Sequence, residues 1–422
     1  MRTLFIFLVM TFLSGCTVTD KISNQNLAYL YRSTSSILHP EFHVYHFSDD
    51  SSRLYFRINT EDLLFIRGED GISKADFTVS CRLLRSFDNN TLVDSTSLRF
   101  LEKESAEGTF LSGYLNLRTG NSSPDSNTTS VLEINISDNN RKLSSRFFTG
   151  VNKSGFQNRQ SFLIRKKKSG AVVYNYYIPG NDTLTIEHRN QTEKNFYVRY
   201  YNRDFPIADP PFAVSNIRPF EYASDSSFVF HMHNLPTEAS FSRQGFYHIQ
   251  EDTLVKEGLT LFRFHDDFPR LTSPAALLEP LRYLTTRKEF EDLYSKDDKK
   301  AAVDNFWLAL SGNIERGKEL IRKYYNRVKD ANVFFSSYIE GWKTDRGMIY
   351  IIFGVPNIIY KTSNSESWIY GEAGNMTSIN FTFIMVNNPF SDNDFILQRS
   401  PIYESYWYHA VDTWRTGRVY ND

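Results

Sequence analysis

The sequence predicts a multidomain, β-rich protein, with two N-terminal β-sandwich modules followed by an α+β C-terminal domain. Three observations carry this. Aromatic residues are abundant, with 35 Phe and 25 Tyr, and such side chains favour strands and bury large apolar area. Residues 41–270 read as short apolar–polar runs of strand length separated by turn-forming residues. From Ser273 the apolar period becomes helical, and strand-like runs return only late in the chain.

The N-terminus sets the compartment. Arg2 is a short positive region, and Thr3 to Leu13 form an apolar run too short to span a bilayer. Residues 1–15 therefore read as a secretory signal. Its end, Leu13-Ser14-Gly15-Cys16, resembles the bacterial lipobox, which implies cleavage before Cys16 and lipid chains on its thiol and amine. Several acyl chains anchor stably, since each buried CH₂ contributes about 0.8 kcal/mol. With Cys16 lipidated, Cys81 has no partner for an intrachain disulfide and reads as a small buried hydrophobe. No acidic cluster follows Cys16, which points to the periplasmic face of the outer membrane rather than the cell surface.

Residues 16–40 are polar and read as a tether, with a short helix around Leu27 to Tyr31. The first module, residues 41–160, opens with FHVYHF and RLYFRIN flanking SDDSS, a hairpin pattern. The runs DFTVSCRLL, TLVDSTSLRFL, GTFLSGYLNL and SVLEINISD continue it with Ig-like strand spacing. Arg165 to Lys168 form a basic run, read as a solvated strand end or linker against an anionic glycan or headgroup contact. The second module, residues 161–270, contains six further strand candidates, from AVVYNYYI to GLTLFRF. His231 and His233 share a face of one candidate, and with His248 they could form a metal site. No acidic or Cys ligand lies at a diagnostic spacing, so edge-strand histidines are the competing reading. Module boundaries fall near residues 155–170 and 265–275.

In residues 271–422, Ser273-Pro274 is a favourable helix start, and Leu277, Leu278, Leu281 and Leu284 share a face that Pro280 should kink or restart. Thr286 and Glu289 fit a capping box. Val303, Phe306, Trp307 and Leu310 make a third apolar stripe; Ile314, Ile321, Tyr324 and Val328 make a fourth. Residues 358–361, 367–370 and 378–386 read as strands of one sheet, and Ser400-Pro401 opens a last helix with an aromatic stripe.

Between helices and sheet lies EGWKTDRGMIYIIFGVP, Glu340 to Pro356. Read physically, it is an elbow. The preceding helix ends near Tyr338–Ile339, Gly341 closes it in the left-handed conformation, and Trp342 folds back with its indole N–H seeking an acceptor. Thr344 and Asp345 cap turn N–H groups, and Arg346 pairs with Asp345 or a helix end. Gly347 then frees the chain to enter Met348 to Phe353, apolar on both alternating faces like a central strand. The functional alternative has Trp342, Lys343, Asp345 and Arg346 lining a glycan- or peptide-binding cleft. Asp345 beside a cation would serve as a base or orienting group rather than an acid.

Gly341, Trp342, Thr344 and Asp345, continuing through Arg346-Gly347 and Gly354-x-Pro356, closely resemble the signature of GWxTD-domain proteins. FPRLTSP, FEDLY, NFW and ESWIYGE fit the same resemblance, which covers roughly residues 260–400. It implies an exported or lipid-anchored protein of bacteria with two membranes, with β-sandwich modules before the domain. It carries over no catalytic residue.

Other patterns exclude functions. The near-neutral balance, 48 basic against 49 acidic residues, argues against bulk nucleic-acid binding. Gly312 to Glu319 matches G-x-x-x-x-G-K, but Glu319 replaces the Mg²⁺-binding hydroxyl and the run lies between helices. H-E-x-x-H, G-x-S-x-G and CxxC are absent, and no cofactor motif is present. The leading expectation is a non-enzymatic lipoprotein whose modules project a C-terminal domain toward an envelope protein or glycan. An envelope hydrolase or glycan-modifying enzyme at the elbow and a carbohydrate-binding lipoprotein are the alternatives.

Overall fold

A computed structural model describes residues 21–421 apart from 33–37, 105–109, 121–128, 154–157, 179–181, 190–193, 215–219, 233–235, 373 and 376. The signal segment, Cys16 and His233 therefore lie outside the described residues. The fold is β-rich, with antiparallel sheets in the N-terminal region and helices concentrated toward the C-terminus.

The first unit comprises β1 (Glu41–Tyr45), β2 (Ser51–Asn59), β3 (Phe65–Arg67), β4 (Ser73–Leu84), β5 (Leu92–Lys103), β6 (Phe110–Arg118), β7 (Ser130–Asp138) and β8 (Leu143–Val151). One sheet runs β1-β2-β6 and the other β3-β4-β7-β8, with β5 also paired to β4. The alternating residues Leu54, Phe56 and Ile58 of β2 meet Phe77, Val79 and Cys81 of β4 and Ile134 and Ile136 of β7 in one core. Period-two burial thus fixes the register, because a one-residue slip would turn these side chains to solvent. Cys81 is free and buried there, and burial pushes its thiol up to about 12.

The second unit holds β9 (Phe162–Lys166), β10 (Thr183–His188), β11 (Lys194–Tyr201), β12 (Ser226–Met232), β13 (Thr237–Ser240), β14 (Gly245–Gln250) and β15 (Leu259–Arg263). Its sheets run β13-β10-β9 and β12-β11-β14-β15. In the basic run, Lys166 and Lys167 pair with Asp182 and Glu238 at the end of β9, as a solvated strand end would.

The helices follow largely as their caps dictate. Ser273 accepts from the Ala276 N–H at the start of α1 (Pro274–Leu278), and Pro280 restarts the chain as a 3₁₀ turn over Glu279–Tyr283. Thr286 and Glu289 form the expected capping box of α2 (Arg287–Tyr294). The long pair α3 (Lys299–Ser311) and α4 (Ile314–Phe335) packs beside it. The buried stripe of α4 is Gly317, Leu320, Tyr324, Val328 and Ala331; Ile314, expected on it, is exposed, and Ile321 is only partly buried.

Two elbow expectations are overturned. Met348 to Phe353 is not a strand: it belongs to α5 (Asp345–Phe353), a helix with all nine residues buried. A wholly apolar run has no period to distinguish strand from helix, and a helix enclosed on every side is apolar all round. The enclosure comes from α4, from α6 (Glu404–Arg415), and from the antiparallel sheet β16 (Ile358–Lys361), β17 (Ser365–Tyr370), β18 (Ile379–Met385) and β19 (Phe395–Leu397). Gly341 does not close α4 in a left-handed conformation either. Helix α4 ends at Phe335, and Gly341 opens a 3₁₀ turn, Gly341–Lys343. A Cβ on Gly341 would lie 2.0 Å from the Ala331 carbonyl oxygen, so glycine is needed for close approach.

Residues 21–32 are packed rather than free. Two 3₁₀ turns, Ile22–Asn24 and Ala28–Tyr31, wedge between the first unit and the C-terminal domain. The Leu27 N–H donates to the Ile359 carbonyl at 2.8 Å, and the Asn26 amide bonds Asn357 O and Ile359 N. Ile22 and Leu27 pack on Leu84 and Val131 of the first unit. No described helix is long and apolar enough to cross a membrane.

Candidate functional site

The elbow is fastened at each residue. The Gly341 N–H donates to Ser336 Oγ at 2.8 Å, and the Trp342 N–H donates to Asn332 Oδ1 at 3.0 Å. Trp342 O accepts from the Tyr283 hydroxyl at 3.0 Å. Thr344 donates its hydroxyl to Gly341 O and accepts from the Gly347 N–H, which makes it the N-cap of α5. A Cβ on Gly347 would sit 1.9 Å from Gly341 O, so both glycines of the motif serve close backbone approach. Trp342 is wholly buried beside Tyr283, but its indole N–H, expected to find an acceptor, has none.

The charged pair of the motif is split. Asp345 and Arg346 do not pair with each other. The Asp345 carboxylate accepts from the Leu397 N–H at 2.7 Å and is held by both terminal nitrogens of Arg399. It is 8 % exposed, and burial raises its pKa against the opposing pull of Arg399. Arg346 turns the other way. Its guanidinium donates to Glu366 at 3.1 Å and to Asn393 O at 2.9 Å, and lies 4.0 Å from the centre of the Phe395 ring.

Glu366 is the hub that sequence reasoning missed. Its Oε1 accepts from Arg346, from Lys361 at 2.9 Å and from the Tyr31 hydroxyl at 2.9 Å; its Oε2 accepts from the Trp368 indole N–H at 3.0 Å. Burial alone would push the Glu366 carboxyl up, but the Lys361 and Arg346 cations outweigh it and hold it down at about 2. The available signal was period two: Glu366, Trp368 and Tyr370 share the buried face of β17. A carboxylate alternating with two aromatics inside a sheet requires buried counter-charges.

Of the histidine candidates, His233 lies outside the described residues, and His231 and His248 stand in different surroundings. His231 is exposed on β12 with Nδ1 2.6 Å from Asn195 Oδ1. His248 is buried on β14, with Nδ1 on Thr260 Oγ1 and Nε2 on Lys256 O, both at 2.9 Å. Burial holds its imidazole down at about 4, opposed by the Lys256 hydrogen bond. Among the described residues no group of three or more His, Cys, Asp or Glu side chains could hold a metal.

In the comparison with protein families, the GWxTD domain family matches residues 245–416. The chain carries a GWxTD domain. The match begins at Gly245, the first residue of β14, so it includes the last two strands of the second β unit as well as the helices, elbow and final sheet. Within the GWxTD domain the signature residues form a helix-turn-helix joint and its buried ion pairs. No curated protein matches the chain.

The joint also borders an opening. A cleft of about 190 Å³ lies between the second β unit and the residues leading into the elbow. Of the seven residues Gly341 to Gly347, Lys343 is the one that lines it.

Proposed function

We propose that the chain is a lipid-anchored component of the cell envelope that acts by binding rather than by catalysis. In this reading Cys16 holds it at the outer membrane on the periplasmic side, and the GWxTD domain contacts an envelope partner. The observation that carries the non-catalytic part is the state of Asp345. It is the motif's one carboxylate, it is buried, and its oxygens are engaged by Leu397 and Arg399. A general base needs to reach a substrate proton, and this one faces the fold. The five tryptophans are buried as well, which speaks against a glycan platform built on exposed indoles.

The packed N-terminal segment revises the expected geometry. Only five residues lie between Cys16 and Ile22, a reach of at most about 21 Å over six steps of chain. A lipid on Cys16 would therefore keep the first β unit and the GWxTD domain close to the bilayer. The β units would not project the domain away from it.

The test is Asp345→Asn. Loss of charge-assisted hydrogen bonds should cost about 1–2 kcal/mol, and cellular function should fall only as far as melting does. A variant that melts like the wild type yet fails to complement a deletion would overturn the binding reading in favour of an enzyme at the elbow.

A further inference from the structure

The cleft beside the elbow is built by three segments. Arg203 and Phe205 come from the loop after β11, Phe246, Arg263 and His265 from the ends of β14 and β15, and Tyr338, Glu340 and Lys343 from the approach to the elbow. We propose that it binds a small carboxylate carrying an apolar or aromatic group, about the size of one amino-acid residue. This deepens the binding reading above, and rests on it in treating the site as one for recognition rather than turnover.

Charge comes first. Arg203, Arg263 and Lys343 face one lining carboxylate, Glu340, which Lys343 engages at 2.8 Å. Other acids near these cations include Asp225 and Glu221 at Arg203, Asp266 on Arg263, and Asp204 and Glu279 at Lys343, with Asp204 4.0 Å from its ammonium. None of these aspartates lines the cleft, and the side chains of Asp266 and Asp204 are 75 % and 100 % exposed. The lining therefore carries three cations against one carboxylate, and two of the nearby counter-charges, Asp266 and Asp204, lie in water, where such pairs are weak.

Unmet hydrogen bonding comes second. The Arg263 side chain is 5 % exposed, donates Nη1 to Phe264 O at 2.9 Å and gives Nη2 to Asp266. Its Nε–H has no acceptor. Two residues on, His265 Nε2 also lacks a hydrogen bond and lies 3.6 Å from Glu340 Oε1. A buried N–H without a partner is costly, and the Nε–H of Arg263 leaves one guanidinium hydrogen bond unmade behind this wall, while His265 faces the Glu340 carboxylate. Guanidinium N–H groups match the planar carboxylate. A phosphate dianion would meet about twice the repulsion from Glu340 that a carboxylate monoanion meets.

Shape comes third. Phe205, Phe246 and Tyr338 form part of a fixed aromatic cluster, with Phe205 and Tyr338 edge-on at 5.3 Å. These rings give the cleft an apolar part beside its cations. The volume of about 190 Å³ equals roughly six waters. That suits one side chain with its carboxylate and excludes a longer ligand lying wholly inside. The elbow also aims the cation: the Lys343 ammonium lies over the Trp342 indole at 5.4 Å, and Lys343 O accepts from the Ala208 N–H at 2.9 Å. The buried motif thus delivers one charged residue to an open surface.

The same chemistry has two sources, a free organic acid and the C-terminal residue of a partner chain. Calorimetric titration of the full chain in detergent with N-acetylphenylalanine, the peptide Gly-Gly-Phe and Gly-Gly-Phe amide separates them. Both acids should bind, and the amide should bind at least about tenfold more weakly. Tighter binding of the peptide than of the N-acetyl acid identifies a chain terminus; equal binding identifies a free acid. Lys343→Gln and Arg203→Gln, checked for unchanged melting, should each weaken the acids by about fivefold or more. Arg263→Gln is avoided because its burial puts folding at risk. Absence of binding up to about 5 mM, equal binding of acid and amide, or affinities within twofold in both variants would each overturn the proposal. None of these outcomes bears on Asp345→Asn, so failure here and failure of the binding reading are separately visible.

Discussion

Replacing Glu366 by Gln should destabilise the GWxTD domain more than its isosteric shape suggests. Both Glu366 oxygens only accept: Oε1 from Arg346, Lys361 and Tyr31, and Oε2 from Trp368. Either orientation of an amide therefore points an NH₂ group at a donor. The change also leaves two cations facing each other, with Arg346 2 % and Glu366 1 % exposed. Breaking a buried pair from one side costs about 3–5 kcal/mol. For a domain of this size each kcal/mol moves Tm by roughly 2–4 °C, so Tm should fall by about 6–20 °C. The assay is selective, because Trp307, Trp342, Trp368, Trp407 and Trp414 are the five tryptophans of the chain and all lie in this domain. Their fluorescence follows its unfolding and leaves the β units silent. The pH dependence supplies a second check. The folded carboxyl is held at about 2, below the ordinary value of about 4.3, so its contribution is present above that value and fades as pH falls toward 2. Wild type and Glu366→Gln should therefore converge in acid. A loss below about 1 kcal/mol at neutral pH, or a gap that stays constant down to about pH 2, would refute the hub assignment.

Trp342→Ala should cost about 3–5 kcal/mol in denaturant unfolding, and Trp342→Phe less than half of that, because the indole N–H has no acceptor to lose. Burial pushes the Asp394 carboxyl up to about 6 against the opposing Tyr338 hydrogen bond, so the native state holds a proton that the unfolded chain gives up near 3.9. Stability should thus fall by about 1–3 kcal/mol as pH rises from about 4 to 6, and Asp394→Asn should flatten that decline in Tm scans. Cys16→Ser should release the chain from membranes on fractionation; unchanged retention with an unmodified N-terminus by mass spectrometry would contradict the anchor.

The elements that sequence announced are those whose signals are local. Thr286 and Glu289 stand three residues apart, and the capping box they form is the one seen. Ser273-Pro274 and Ser400-Pro401 each start a helical segment. The strands of the first unit show period-two burial because each sheet has one covered face. The site was less legible, since its partners come from distant stretches. Asp345 finds Arg399, Arg346 finds Glu366, and Glu366 finds Tyr31 across more than 300 residues of chain. Adjacency in sequence suggested an Asp345–Arg346 pair. On a helix, neighbouring residues point about 100° apart, so the two charges served different walls.

The misreading of Met348 to Phe353 follows from the same physics. Alternation is informative only when one face is wet, and this run has no wet face. The deciding signal lay just upstream, in Thr344 and Gly347. A hydroxyl three residues before a glycine N–H is an N-cap, and Asp345 in the first turn favours a helix through its dipole. Read that way, Gly341 and Gly347 cease to be hinges. Each lacks a side chain because a backbone carbonyl occupies the space where a Cβ would be. The signature is then a packing solution. Two glycines bring α4, the turn and α5 into contact, Trp342 fills the joint, Thr344 caps the helix, and Asp345 and Arg346 bind the sheet on either side. Such a joint explains the residues without any reaction, and it leaves Lys343, whose side chain reaches the cleft, as the position where the joint can meet a ligand.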